Sequence, residues 1–190
     1  MFASLVLAFA LGAFTWTLLE YVIHRWLGHD SRFRPNPFAA EHVRHHSQNY
    51  FAPAWKKLGA ALLVVGLTFL LARWVVGPEL GAAYALGLTT LYLCYELLHW
   101  LEHVWEGVGP YARWARRHHF FHHFTDPSLN HGVTTPIWDF VFRTYQKPGV
   151  IVVPEKLKMR WLTNAEGEVH EAWQGSFQLR KRRSAAKASA

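Results

Sequence analysis

Residues Arg117 to Tyr145 read RHHFFHHFTDPSLNHGVTTPIWDFVFRTY, and within them His119, His122 and His123 fall at i, i+3 and i+4. On a helix, three imidazoles so spaced share one face. The same HxxHH spacing occurs earlier as His42, His45 and His46. Two triplets of identical form in one short chain predict two metal ions.

Around these triplets the chain is apolar: 51% of its 190 residues are hydrophobic and 16% aromatic, which is high for a soluble domain. The apolar residues collect in three runs, Phe2 to Ile23, Leu58 to Val76 and Leu80 to Leu98. Each is long enough, at about 1.5 Å per helical residue, to cross a hydrocarbon core of about 30 Å. The fold class read from this pattern is an all-α integral membrane protein, with about three transmembrane helices and a cytosolic helical cap carrying a histidine-rich dimetal site. Residues 1–149 form the membrane domain, and 150–190 a polar C-terminal extension ending in a solvated basic tail, RKRRSAAKASA. NAEGEVHEAW within it suits a small hairpin.

A net charge of +7 could mark a nucleic-acid binder, but the basic residues flank the apolar runs and form no single stripe. They read as membrane-surface charge, with no nucleic-acid partner. The single cysteine, Cys94, lies inside the third run and reads as a packing residue, so no disulfide framework is expected. The first run resembles the apolar part of a signal peptide, yet no positive charge precedes it and it continues through TWTLLEYVIHRW, which favours a retained helix.

Both histidine triplets should lie on one side of the membrane. The first run exits into HRWLGH and AEHVRHH, a hairpin turning at Gly77-Pro78-Glu79 leaves and returns, and the third run exits into ELLHWLEH and the second triplet. That side carries Arg25, Arg32, Arg34, Arg44, Lys56, Lys57, Arg113, Arg116 and Arg117, so the excess of positive charge on cytoplasmic loops places the site in the cytoplasm.

Ten of the thirteen histidines fall into four groups: His24 with His29; His42, His45 and His46; His99 with His103; and His119, His122 and His123. These ten are the candidate metal ligands and the catalytic centre. The first two groups are expected to supply one metal and the last two the other, leaving a position of each octahedron open. His24 and His29 stand about 140° apart on an ideal α-helix, so a break at Gly28 is expected to turn His29 back. All-nitrogen donors suit Zn, Cu, Fe or Ni. His118, i, i+4 with His122, and His131, in a turn, are possible additional site residues, whereas His170 reads as solvated. Glu20, Glu41 and Glu96 precede His24, His45 and His99 by three or four residues, and each could accept the free ring N–H of its ligand; Asp139 is a fourth supporting carboxylate. For Glu41 an ordinary ion pair competes with that role.

These motifs resemble those of the membrane fatty acid hydroxylase and sterol desaturase superfamily, most nearly the fatty acid 2-hydroxylases. The likeness rests on HRxxxH, the two HxxHH triplets, HxxxH and a GxTxxxWDxxFxT tail, and runs from about Phe14 to Tyr145. It implies that the ten histidines ligate a dimetal centre, iron in the active enzyme, and that O2 is used to hydroxylate an acyl chain, most nearly at carbon 2. Zinc is compatible with the same imidazoles in a purified sample. The implied enzyme is a non-haem di-iron monooxygenase of lipid metabolism. No cytochrome domain is attached within these residues, so a separate electron donor is expected, a ferredoxin or b-type cytochrome with its reductase. The faces around Arg113, Arg116 and Arg117 could dock such an acidic carrier or meet anionic lipid. The rival within the superfamily is a hydroxylase or desaturase of sterols, carotenoids or other lipids. A rival of another class is a non-catalytic metal-binding membrane protein; haem would need at most two axial histidines.

Overall fold

Three long helices carry the architecture of the computed structural model, which describes residues 1–180. Helix α1 spans Phe2–Val22, α3 Ala54–Val76 and α4 Pro78–Val104. Between α1 and α3 lie a π-helical segment, Ile23–His29, and a twelve-residue helix, α2, Pro37–Gln48. After α4 come α5, Gly109–Phe124, and the short α6, Ile137–Val141. The basic tail from residue 181 onward lies outside the described residues.

Among the described residues, two helical stretches, Phe2–His29 and Ala54–Val76, are long and apolar enough to cross a membrane. Helix α3 has no buried residue, and Leu62, Leu63, Leu71 and Trp74 stand open along it. Helix α4 has 27 residues but carries Glu96, Glu102 and two histidines in its second half, which lowers its apolar character. The turn at Gly77 has a φ of 87°, which glycine adopts without strain, and so joins α3 to α4 as expected.

Helices α1 and α4 pack backbone to backbone. A Cβ on Gly12 would lie 2.0 Å from the Tyr84 carbonyl oxygen, and one on Gly87 would lie 1.9 Å from that of Phe9. Two glycines facing in opposite directions thus remove the side chains that would hold the helices apart. This close approach fixes the height at which the ends of α1 and α4 deliver their histidines.

The all-α reading and the polar extension both need correction. Residues 151–180 contain a two-stranded parallel sheet, β1 (Ile151–Pro154) beside β2 (Phe177–Arg180). Ile151, Val153, Met159, Leu162, Trp173 and Phe177 pack with Phe120 and Phe121 into a buried apolar cluster, on the back of α5. Composition hid this because the apolar residues are few and spaced along a chain rich in charge, yet nearly all of them point inward. The hairpin expected in NAEGEVHEAW is present as one antiparallel bridge, Thr163 to Val169, closed by Asn164 N–H donating to the Glu168 carbonyl at 2.9 Å. His170 is exposed, as expected.

Candidate metal centre

At the ends of α1 and α4, α2 and α5 face one another and the ten patterned histidines converge as two sets of five. The first set is His24, His29, His42, His46 and His122; the second is His45, His99, His103, His119 and His123. Within each set one ring nitrogen from every residue lies within 4.8 Å of all the others. The sets adjoin, with the His46 and His123 rings stacked at 4.0 Å.

The partition differs from the expected one. Each HxxHH triplet is split between the sets: its i and i+4 members serve one and its i+3 member the other. Rings at i and i+4 sit about 40° apart around the helix, whereas i+3 falls about 60° to the other side. His45 therefore crosses from α2 to the α4 histidines, and His122 from α5 to the α1 histidines. This exchange interlocks four segments around both sets.

Convergence of His24 and His29 has a cause other than a break at Gly28. Residues Ile23–His29 form a π-helix, in which i and i+5 succeed one another along one face, so the wider turn cancels the angular offset. Gly28 serves α2 instead: a Cβ there would lie 3.0 Å from His42 Cδ2 and 3.3 Å from Phe38 Cε1. Its bareness lets His42 close on His29.

The nitrogen geometry fits metal ligation better than hydrogen bonding. His29 Nε2 lies 2.8 Å from His42 Nε2 and 2.9 Å from His122 Nε2. One imidazole nitrogen is either a donor or an acceptor, so it cannot satisfy both contacts. Three lone pairs aimed at a common point resolve the conflict, because nitrogens bound at about 2.1 Å on adjacent octahedral corners stand about 3.0 Å apart. In the second set His45 and His99, and His103 and His119, repeat this spacing at 2.9 Å. His24 Nε2, His46 Nε2 and His123 Nε2 are buried without any hydrogen-bond partner.

Burial keeps the imidazoles outside the apolar runs neutral. His45 is pushed down to about 4 and His46 to about 2, while His42, His119, His122 and His123 fall well below the ordinary value. Desolvation is the largest cause for all six, reinforced in most of them by neighbouring imidazoles. Neutral rings have free lone pairs at pH 7.

Ring orientation comes largely from backbone carbonyls. His24 Nδ1 donates to the His131 carbonyl at 2.5 Å, His122 Nδ1 to that of Leu129 at 2.7 Å and His45 Nδ1 to that of Tyr50 at 3.0 Å. Three expected carboxylate partners are therefore corrected. Glu41 pairs with Lys56 at 2.7 Å, the competing ion-pair role, and Glu96 pairs with Lys57, because their side chains leave the helix away from the rings. Glu20 is buried, but it accepts from Val133 N–H, Thr134 N–H and the Thr134 hydroxyl and does not touch His24.

Asp139 closes the other side of the same loop. It is fully buried and accepts from the N–H groups of His131 and Gly132, the Thr144 hydroxyl and His118 Nε2. Burial opposes its ionisation, yet the donors from His118, His131 and Gly132 hold its carboxyl well below the usual range. His118 thus faces Asp139 and joins neither set. His131 also joins neither, but its ring packs edge-on against those of His24 and His122 at 5.6 and 5.2 Å.

Several contributors escaped the sequence reading. Glu102 is fully buried, both its carboxylate oxygens lack hydrogen-bond partners among the described residues, and Oε2 lies 3.6 Å from His119 Nδ1. Its signal was available: an acidic residue beside His103 near the end of a long apolar helix needs a partner. Phe51 covers the second set, its ring 4.9 Å from His45 and 5.2 Å from His103. Arg116 is interior rather than docking surface; it donates to the carbonyls of Leu101, Trp105 and Ala112 and ties the end of α4 to α5. Arg113 and Arg117 are likewise engaged, with the carbonyls of Ala172 and Pro148.

Residues 9–144 match the family model described as fatty acid hydroxylase. The chain belongs to this family. It is 30% identical over 148 residues to human fatty acid 2-hydroxylase, covering 72% of this chain and 38% of that protein. It is 31% identical over 150 residues to a ceramide very long chain fatty acid hydroxylase of Schizosaccharomyces pombe, covering 75% and 43% respectively. The fold matches the solved structure of full-length Scs7p, of which only the hydroxylase domain is visible, with a TM-score of 0.61, 25% identity, and coverage of 75% of this chain and 56% of that one. The chain spans about two fifths of the length of the human and fission-yeast relatives.

Proposed function

We propose that this fatty acid hydroxylase family member is a membrane-bound, O2-dependent enzyme that places a hydroxyl on carbon 2 of a fatty acyl chain, using two iron ions held by the ten histidines. The observation that carries it is the convergence of those histidines into two adjoining five-nitrogen sets. His24, His29, His42, His46 and His122 would hold one ion, and His45, His99, His103, His119 and His123 the other. Five nitrogens per ion leave about one octahedral position free. Held by these rings, the metals would supply the oxidising power that an unactivated C–H bond requires and side chains lack.

The chain's own residues do the rest. Carbonyls of His131, Leu129 and Tyr50 fix three rings, and Glu102 would offset the positive charge that a metal brings into the interior. Phe51 shields the second set from water. Helices α1, α3 and α4 cross the bilayer, and the basic residues at the histidine end support a cytoplasmic position for the centre. One oxygen atom enters product and the other leaves as water, so a separate donor must deliver two electrons.

The test is lipid mass spectrometry of a host expressing the chain under oxygen-18 gas, beside His122→Ala, with bound metal counted in each. Heavy 2-hydroxy acyl lipids that appear only with intact His122 are expected. Two bound metals without any oxygenated lipid, even with reductase and ferredoxin supplied, would sink the reading.

A further inference from the structure

Helix α6 bears Asp139 on its inner face, yet its outer face is apolar and open. Ile137, Phe140 and Val141, at i, i+3 and i+4, are 45%, 58% and 59% exposed. Buried polar and open apolar faces on one short element are the reverse of a solvated surface helix.

The position of α6 explains the inversion. Trp138 Nε1 donates to Thr17 Oγ1 at 2.8 Å, and its ring lies 5.5 Å from that of Phe14. Thr17 is five residues from the end of α1, about 8 Å at 1.5 Å per residue. That is the depth, about 5–10 Å, at which helices lying in a membrane interface bury their apolar side. Phe14, Leu11 and Leu7 continue the open apolar surface down α1.

The backbone at the C-terminal end of α6 is paired internally. Phe140 N–H donates to the Pro136 carbonyl at 3.0 Å and Phe142 N–H to that of Trp138 at 2.9 Å. The Asp139 carbonyl takes both Thr144 and Tyr145 N–H, which closes the C-terminal end of the helix. Such internal pairing is what contact with hydrocarbon demands. Arg143 and Lys147, both exposed, follow directly, at the place where basic side chains reach headgroups.

We propose that α6 is a lipid-inserted wedge: Ile137, Phe140 and Val141 lie among the acyl chains of the leaflet nearest the histidine centre. The loop 131–135, held by Asp139 on α6, then sits where the membrane meets the centre, and an acyl chain can arrive beside it laterally. This rests on the reading of α1 as a membrane span, and the experiment separates the two.

In a Cys94→Ser background, single cysteines are placed by Val141→Cys, Leu7→Cys and Lys156→Cys, labelled with bimane and reconstituted in phosphatidylcholine–phosphatidylglycerol vesicles. Equal helical circular dichroism and equal cooperative melting of the three proteins show that each is folded. Quenching by doxyl-labelled lipid and by aqueous iodide is then compared. The wedge is supported if the labels at 141 and 7 both respond to doxyl lipid and resist iodide, while the label at 156 does the opposite. Lipid quenching at 7 with iodide quenching at 141 overturns the wedge and leaves the span standing. Iodide quenching at both overturns the span and the wedge with it. Resistance to both quenchers at 141 means that protein covers the face, and also overturns the wedge.

Discussion

Glu20 and Asp139 divide four consecutive backbone amides between them: Asp139 takes those of His131 and Gly132, and Glu20 those of Val133 and Thr134. The loop so clamped offers its His131 carbonyl to His24 Nδ1. Two carboxylates 119 positions apart in sequence therefore orient one imidazole through a peptide that neither of them belongs to. Removing either should release the loop, and both are buried, so the freed amides would lack partners.

Glu20→Ala and Asp139→Ala are expected to weaken metal binding by about 10–100-fold, the usual consequence of losing the partners that hold ligands in place. The loss should fall on the set containing His24, so that metal counts after a chelator challenge drop from two toward one per chain. Glu20→Gln, whose amide oxygen still accepts, should fall between wild type and Glu20→Ala. Full retention of two metals in both alanine variants would refute the clamp.

Gly12 and Gly87 make the next prediction. Any Cβ at either position meets a carbonyl oxygen of the facing helix at about the length of a close clash, 2.0 or 1.9 Å. Gly87→Val should therefore part α1 from α4 and cost more than about 2 kcal/mol, at the upper end of ordinary overpacking because backbone cannot rotate away. Thermal unfolding in detergent would show a lowered midpoint. Gly66→Val on α3, where a Cβ meets nothing within 4 Å, is the matched control and should leave the midpoint unchanged.

What the sequence disclosed follows the range of the forces involved. The helices and the ten histidines that converge were legible because apolar length and histidine spacing are local properties of the chain. The allotment of ligands was not: whether His45 joins His42 or His99 depends on which face of α2 meets α4, a relation between segments 54 positions apart. The π-turn at Ile23–His29 was also hidden, since the same residues are equally good α-helix formers and only the packing of His29 on His42 selects the wider turn. Spacing suggested Glu20 for His24, but its oxygens accept from amides of a loop over a hundred positions later. Glu102 carries its own signal in the cost of a buried carboxylate, but no histidine follows it by three or four positions, the spacing that marks Glu20, Glu41 and Glu96.

Acid should unfold the metal-free protein early. His45 falls from the ordinary 6.5 to about 4, first by burial and then by the charge of Lys57, with its hydrogen bond to the Tyr50 carbonyl pulling the other way. Above pH 6.5 the ring is neutral both folded and unfolded, and the shift contributes nothing. Between 6.5 and 4 only the unfolded chain takes up the proton, so stability falls by about 3 kcal/mol from this residue alone, at about 1.4 kcal/mol per pKa unit. His42, His46, His119, His122 and His123 shift in the same direction and steepen the fall. Melting curves of the metal-free protein from pH 8 to pH 4 should be level at first and drop below pH 6.5. A midpoint that holds steady to pH 4.5 would mean that the rings are wet.

Glu102 separates a charge from a hydrogen-bond acceptor. Its carboxylate faces His119 Nδ1 at 3.6 Å, beyond ordinary hydrogen-bonding distance, and has no other partner although Arg116 lies near enough to act on it electrostatically. A buried, unpaired carboxylate is costly by itself, and a cation in the adjoining set of five histidines would repay that cost. If the charge is what counts, Glu102→Gln and Glu102→Ala should behave alike, each weakening the second set by about 10–100-fold while the first keeps its metal. If Glu102 serves only to accept the His119 proton, Glu102→Gln should match wild type and Glu102→Ala alone should fail. Metal counts per chain across a chelator titration distinguish the two, and the charge reading is refuted if the glutamine variant holds both ions as tightly as the parent.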